Sequence, residues 1–215
     1  MRKVLFFTAC MLFLLAGWAQ ADDLYLGGPY SSPLYLNEGG SNTNVSEGGG
    51  SIDNSTLNGQ ALPFVYCVDL GHNVGVSGDY PGTLVNTLGK IGGSVAFPLV
   101  TVTNGGEVAW LVDHYGTAGQ SDMAKALQLA IWHEIYGYGA GSSNSSTVIS
   151  DYNTIITALG TNTDPVSNLL WMTPGDDNGN LSQGLVTKVP EPGTLALLGS
   201  GLLGLALYAR RRVKK

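Results

Sequence analysis

The sequence predicts an α+β domain: a β-rich body, barrel-like or sandwich-like, with one main helix packed on it. Three observations carry that expectation. Charged residues make up 12% of the chain, about half the usual share, and glycine is plentiful at 31 of 215 residues. Short apolar, β-branched and aromatic runs are separated by polar loops rich in Gly, Asn and Ser, the pattern of short strands. Within this background, residues 121–136 form one clear helical pattern. The length fits one domain with accessory segments at its ends.

In chain order, residues 1–21 read as a secretory signal peptide. Arg2 and Lys3 precede an apolar stretch at 4–16, and Ala19-Gln20-Ala21 offers a small-x-small cleavage site. The mature body is then 22–188. Residues 22–36 suggest short extended pieces, and 37–59 a glycine-rich loop or ragged meander. Residues 61–70 make the clearest early strand. Residues 94–103 and 107–112 read as two more, joined through Asn104-Gly105-Gly106 as a hairpin. The main helix follows, with Ser121 as its cap, Asp122 in its first turn and Gly137 as its stop. Leu127, Ile131, Ala124 and Ile135 share one arc, and Trp132 borders it. A second helix is expected at 147–159, a strand at 166–172 and a loop at 173–184.

The far end has its own logic. Val189-Pro190-Glu191-Pro192 precedes about sixteen mostly apolar residues, enough for roughly 24 Å of helix and a short membrane span. Arg210, Arg211, Arg212, Lys214 and Lys215 then form a basic stop that stays cytoplasmic, leaving the body outside. The prolines keep the approach extended and open to a processing enzyme. Residues 189–215 closely resemble the PEP-CTERM sorting signal. The resemblance implies an exosortase as partner, a Gram-negative host, a transient inner-membrane intermediate, and delivery to the cell surface or extracellular matrix.

The formal charge of −6, with no basic patch between the termini, argues against a nucleic-acid partner. Cys10 leaves with the signal, so the mature chain has a single cysteine, Cys67, in an oxidising compartment. Gln128 is an amide inside the apolar arc of the main helix. Buried without partners, it would cost roughly 2–7 kcal/mol, so it needs a partner elsewhere. Of the histidines, His133 lies across the helical wheel from Gln128, His114 follows an expected strand, and His72 lies shortly after Cys67. Each reads as exposed or structurally bonded before it reads as a base. His133-Glu134 lacks the second histidine of a zinc-protease motif. The acidic run 176–180 lacks the closing Glu of a calcium loop and reads as a turn. No metal or cofactor is expected.

Tyr66-Cys67-Val68-Asp69 resembles the cysteine motif of the bacterial surface thioester domains. Leu127-Gln128-Leu129-Ala130-Ile131-Trp132 resembles a glutamine motif of the same family, departing from it at Leu129. The resemblance implies an internal thioester between Cys67 and Gln128, formed with loss of ammonia, that acylates an amine or hydroxyl on a target surface. The protein would react once rather than turn over, as an adhesin does. Tyr66, Trp132 and Ile135 are the candidates to shield the bond from water. Two other classes stay open: a non-reactive structural or carbohydrate-binding matrix protein, with exopolysaccharide as a partner, and a cysteine hydrolase using Cys67 with His114 or His72.

Overall fold

The computed structural model describes residues 22–28, 33–38, 44–92, 99–175 and 180–190. The expected signal peptide, the acidic turn at 176–179, Glu191, Pro192, the membrane span and the basic stop lie outside the described residues. Among the described residues, no helix is long and apolar enough to cross a membrane.

The body is α+β and mostly β, as the composition indicates. A half-barrel sheet of seven antiparallel strands runs in the order β5 (Gln60–Ala61), β4 (Thr56–Leu57), β1 (Asp22–Leu26), β7 (Gly78–Asn86), β11 (Leu169–Thr173), β12 (Leu185–Lys188) and β6 (Tyr66–Cys67). A smaller sheet joins β10 (Gly139–Ala140), β2 (Pro33–Asn37) and β3 (Asn44–Gly48). The pair β8 (Lys90–Ile91) and β9 (Val100–Thr101) forms a third.

Among the described residues three helices pack with these sheets: α1 (Gly105–Tyr115), α2 (Asp122–Tyr136) and α3 (Ser146–Leu159). The helix expected at 121–136 is present with its predicted ends. The Ser121 side chain accepts from Ala124 N at 3.2 Å, and Gly137 closes the helix at φ 75°. Residues 126–132 are all buried, so α2 is a central helix covered on every side rather than a one-faced surface helix. The second helix also forms, with Ser145 as its cap and Val148, Tyr152, Ile155 and Leu159 facing inward.

The expected hairpin through Asn104-Gly105-Gly106 does not form. Asn104 takes the left-handed conformation (φ 52°) but caps α1 instead of turning a hairpin. Its side chain reaches Glu134 O at 2.9 Å, tying the start of α1 to the end of α2. Val108, Ala109, Leu111 and Val112 are buried at helical spacing. A short apolar run of this kind suits strand and helix alike, and packing against α2 selects helix.

The expected long strand at 61–70 is divided among three partners. Ala61 pairs with Thr56, Val65 bridges Ile52, and β6 pairs with β12. Pro63 interrupts the run, because it can give no ladder hydrogen bond. The expected strand at 166–172 begins instead with a 3₁₀ turn at Val166–Asn168.

Candidate functional site

Cys67 lies on β6, the end strand of the seven-stranded sheet, and is 1% exposed. On one side β6 pairs with β12, Tyr66 opposite Val186 and Cys67 opposite Leu185. The bond from Val68 N to Gly184 O, 2.9 Å, continues that ladder. Among the described residues no strand lies beside the other edge of Cys67, and Gln128 of α2 takes that place. Gln128 Oε1 accepts from Cys67 N at 3.0 Å, and Gln128 Nε2 donates to Cys67 O at 2.7 Å. The carboxamide acts as one more peptide unit at the sheet edge, so a fully buried amide has both its polar atoms satisfied.

The thiol itself points to a different glutamine. Cys67 Sγ donates to Gln183 Oε1 at 3.2 Å, and Gln183 Nε2 donates to Asp69 O at 2.5 Å. Gln183 stands two residues before Leu185, the cross-strand partner of Cys67. Strand alternation therefore puts Gln183 on the same face as Cys67, diagonally across the ladder and within reach of its side chain. Burial above all, and then the charge of Asp69, push the thiol up to about 12 from an ordinary 9.0. Cys67 thus keeps its proton at neutral pH, and that proton faces a carboxamide only 7% exposed.

Sequence reasoning placed Cys67 and Gln128 together, and they do meet, through the main chain of Cys67. It missed Gln183, which fell in the expected loop at 173–184. The available signal was a glutamine just ahead of the apolar pair Leu185-Val186.

The three shielding candidates have different surroundings. Tyr66 is fully buried, stacks edge-on against Phe64 at 5.6 Å and donates to Thr117 O at 2.7 Å. As the neighbour of Cys67 on a strand, it projects to the opposite face. Trp132 is fully buried one turn along α2 from Gln128, and both pack on Gly49. Ile135 is partly buried and lines a cleft of about 440 Å³. Asp69, His72, Ile91, Val100 and Tyr136 also line it. Ile91 is packed tightly against Gly184, on the face of the ladder opposite Cys67 and Gln183.

Among the described residues no histidine is hydrogen-bonded to the thiol. His72 Nδ1 lies 2.6 Å from Asp69 Oδ2, His114 Nδ1 2.9 Å from Trp110 O, and His133 Nδ1 2.8 Å from Tyr152 Oη. Among the described residues no group of three or more His, Cys, Asp or Glu side chains is placed to hold a metal ion.

The start of the expected sorting segment is also visible. Strand β12 ends at Lys188, whose Nζ lies 2.8 Å from Asp113 Oδ1. Val189, immediately beyond, is 37% exposed, and Pro190 follows it. Val189 and Pro190 thus follow directly on a strand of the main sheet.

Residues 188–212 match a family described as the PEP-CTERM protein-sorting motif. No curated protein matches the chain. Among solved structures, the N-terminal thioester domain of a surface protein from Clostridium perfringens is similar to it at 15% identity and a TM-score of 0.37. That alignment covers 77% of this chain and 97% of that one. The PEP-CTERM motif is of the kind exosortases recognise, and it marks this chain as an exported protein sorted to the cell surface.

Proposed function

We propose that this surface protein carries an internal thioester on Cys67 and uses it once, to attach itself covalently to a nucleophile on a target surface. The observation that carries the reading is the buried thiol of Cys67 hydrogen-bonded to the Gln183 carboxamide at 3.2 Å. Gln183 is therefore proposed as the acyl donor, in place of the Gln128 expected from sequence. In the step, the sulfur attacks the Gln183 side-chain carbon, the C–N bond breaks, and the thiol proton leaves on nitrogen as ammonia. Amides are poor acyl donors, so the reaction depends on holding the groups together away from water. A thiol 1% exposed beside a carboxamide 7% exposed meets that requirement.

Gln128 suits a different task. Its Nε2 supplies the hydrogen bond to Cys67 O, and turning Gln128 into an acyl group would remove that donor and orphan a buried carbonyl. A glutamine that holds the strand must outlast the reaction, whereas the donor glutamine loses its nitrogen. The remaining parts of the reading follow the sorting motif. The span after Pro192 holds the protein in the inner membrane until an exosortase releases it near 189–192, and the body then serves as an adhesin at the surface or in the matrix.

Intact mass of the mature domain, purified near neutral pH without added nucleophiles, tests the bond. The expected result is a deficit of one ammonia, lost in Cys67→Ala and Gln183→Ala, and an adduct with methylamine that frees the thiol. Full mass with a titratable thiol would remove the thioester and leave a non-reactive matrix protein.

A further inference from the structure

The sorting motif begins against the body of the protein, and a particular surface of that body lies beside it. We infer that the β4–β5 hairpin and Pro190 together form a docking surface for the exosortase, so that the enzyme recognises the folded body as well as the motif. The inference rests on the reading that an exosortase processes the chain near 189–192.

Three contacts hold the start of the motif to the domain. Lys188 Nζ lies 2.8 Å from Asp113 Oδ1, and Val189 N donates to Asn168 O at 3.3 Å. Pro190, the first proline of the motif, is partly buried and lines a cleft of about 250 Å³ with Leu57, Asn58, Gln60 and Leu170. An enzyme that reads the motif from Pro190 onward therefore meets the hairpin in the same place. The hairpin is also built to keep its shape. Its two-residue turn, Asn58-Gly59, has φ 51° and 75°, the left-handed pair that a tight hairpin needs. Asn58 binds β1 through three hydrogen bonds: Nδ2 donates to Asp22 Oδ1 at 2.7 Å, Oδ1 accepts from Asp23 N at 2.9 Å, and the main-chain N–H donates to Asp23 O at 2.7 Å. A surface fixed in this way needs little ordering when a partner binds.

The chemistry of the surface favours a protein over lipid. The five residues lining the cleft carry no charge, and the side chain that Asn58 holds, Asp22, is acidic. Anionic lipid headgroups are drawn to basic clusters instead. Gln60 is exposed, and among the described residues its side chain makes no hydrogen bond. Strand β5 is the end strand of the seven-stranded sheet. Leu62 N donates to Ser55 O at 2.9 Å, so the alternation of an antiparallel ladder turns the N–H and C=O of the intervening residue, Ala61, outward. An open strand edge, an uncommitted carboxamide and a small apolar floor are what strand-like docking of another protein's main chain uses.

The test follows processing of the full chain in a host that has the exosortase, as the ratio of longer to shorter form on immunoblots. Gln60→Arg puts a bulky charge at an exposed position, and Ala61→Pro removes an outward N–H that the ladder does not use. Each is expected to raise the unprocessed fraction at least about fivefold, the scale of losing one strong interface contact. Asn153→Arg, an exposed change on α3, should leave the ratio as in wild type. Protease resistance of the accumulated chain checks that the body is folded, and if one hairpin variant loses it, the other decides. Normal or faster processing of the folded hairpin variants overturns the inference, as does equal slowing by Asn153→Arg. A change only in membrane retention of the shorter form would assign the surface to lipid and overturn it too. Wild type that keeps its size when the exosortase is deleted would instead remove the sorting reading itself.

Discussion

Replacing each glutamine by alanine separates the two roles quantitatively. Gln128→Ala removes two hydrogen bonds, of 3.0 and 2.7 Å, and strands the N–H and C=O of a fully buried edge residue. An unsatisfied buried group costs about 1–3 kcal/mol, so the pair costs roughly 2–6 kcal/mol, plus the space left inside α2. That is a large share of the 5–15 kcal/mol that typical domains possess. Measured against the uncrosslinked chain, Gln183→Ala gives up only a weak thiol contact and one bond to Asp69 O at the rim of the ladder, an expected loss of about 1–2 kcal/mol. The assay pairs denaturant unfolding with intact mass. Gln128→Ala should unfold at clearly lower denaturant yet still release ammonia wherever it folds. Gln183→Ala should stay folded and keep its full mass. The reasoning is refuted if Gln183→Ala still loses ammonia while Gln128→Ala is stable and does not, because Gln128 would then be the acyl donor.

Further outcomes follow from the same contacts. Gly49→Ala would place a methyl 2.8 Å from Leu34 Cδ1, 2.9 Å from Trp132 Cη2 and 3.0 Å from Gln128 Cγ. Such crowding is expected to cost about 1–3 kcal/mol and lower the thermal midpoint. In Gln183→Ala the free Cys67 thiol keeps the burial and the Asp69 charge that in the native chain push it up to about 12 from an ordinary 9.0. A raised folded-state value means that its contribution is intact below about pH 9 and fades toward pH 12, by about 1.4 kcal/mol per unit. Denaturant midpoints of Gln183→Ala and Cys67→Ala/Gln183→Ala should therefore converge or cross between those limits, and parallel curves would contradict the burial argument. Deleting 189–192, or the exosortase, should leave a longer form in the membrane fraction, seen as a size shift on immunoblots. An unchanged size and location would count against sorting.

How much was legible in the chain depended on how local each signal was. The helix at 122–136 could be read because a serine cap, an apolar arc and a terminal glycine agree within sixteen residues. At Asn104-Gly105-Gly106 the local signals conflict. Asn in the left-handed region followed by glycines is strong hairpin chemistry, and only burial of Val108, Leu111 and Val112 against neighbouring elements makes it a helix start. The division of 61–70 among three partners was equally out of reach, since pairing partners are not local information.

The site shows the same boundary within a single residue. Sequence could argue that a buried amide at Gln128 needs partners, and that Cys67 was the place to look. It could not tell whether the partner was the thiol or the main chain of the same residue. Those alternatives differ by the direction of one strand edge, and that direction is fixed by β12 on the opposite side of β6. Once β12 takes one edge, the N–H and C=O of Cys67 face α2 and the carboxamide of Gln128 fits them. The same pairing brings Gln183 to the thiol across 116 positions of sequence. One ladder therefore positions both glutamines. A substitution that shifts the register of β12 against β6 should disturb the clamp and the thiol contact together.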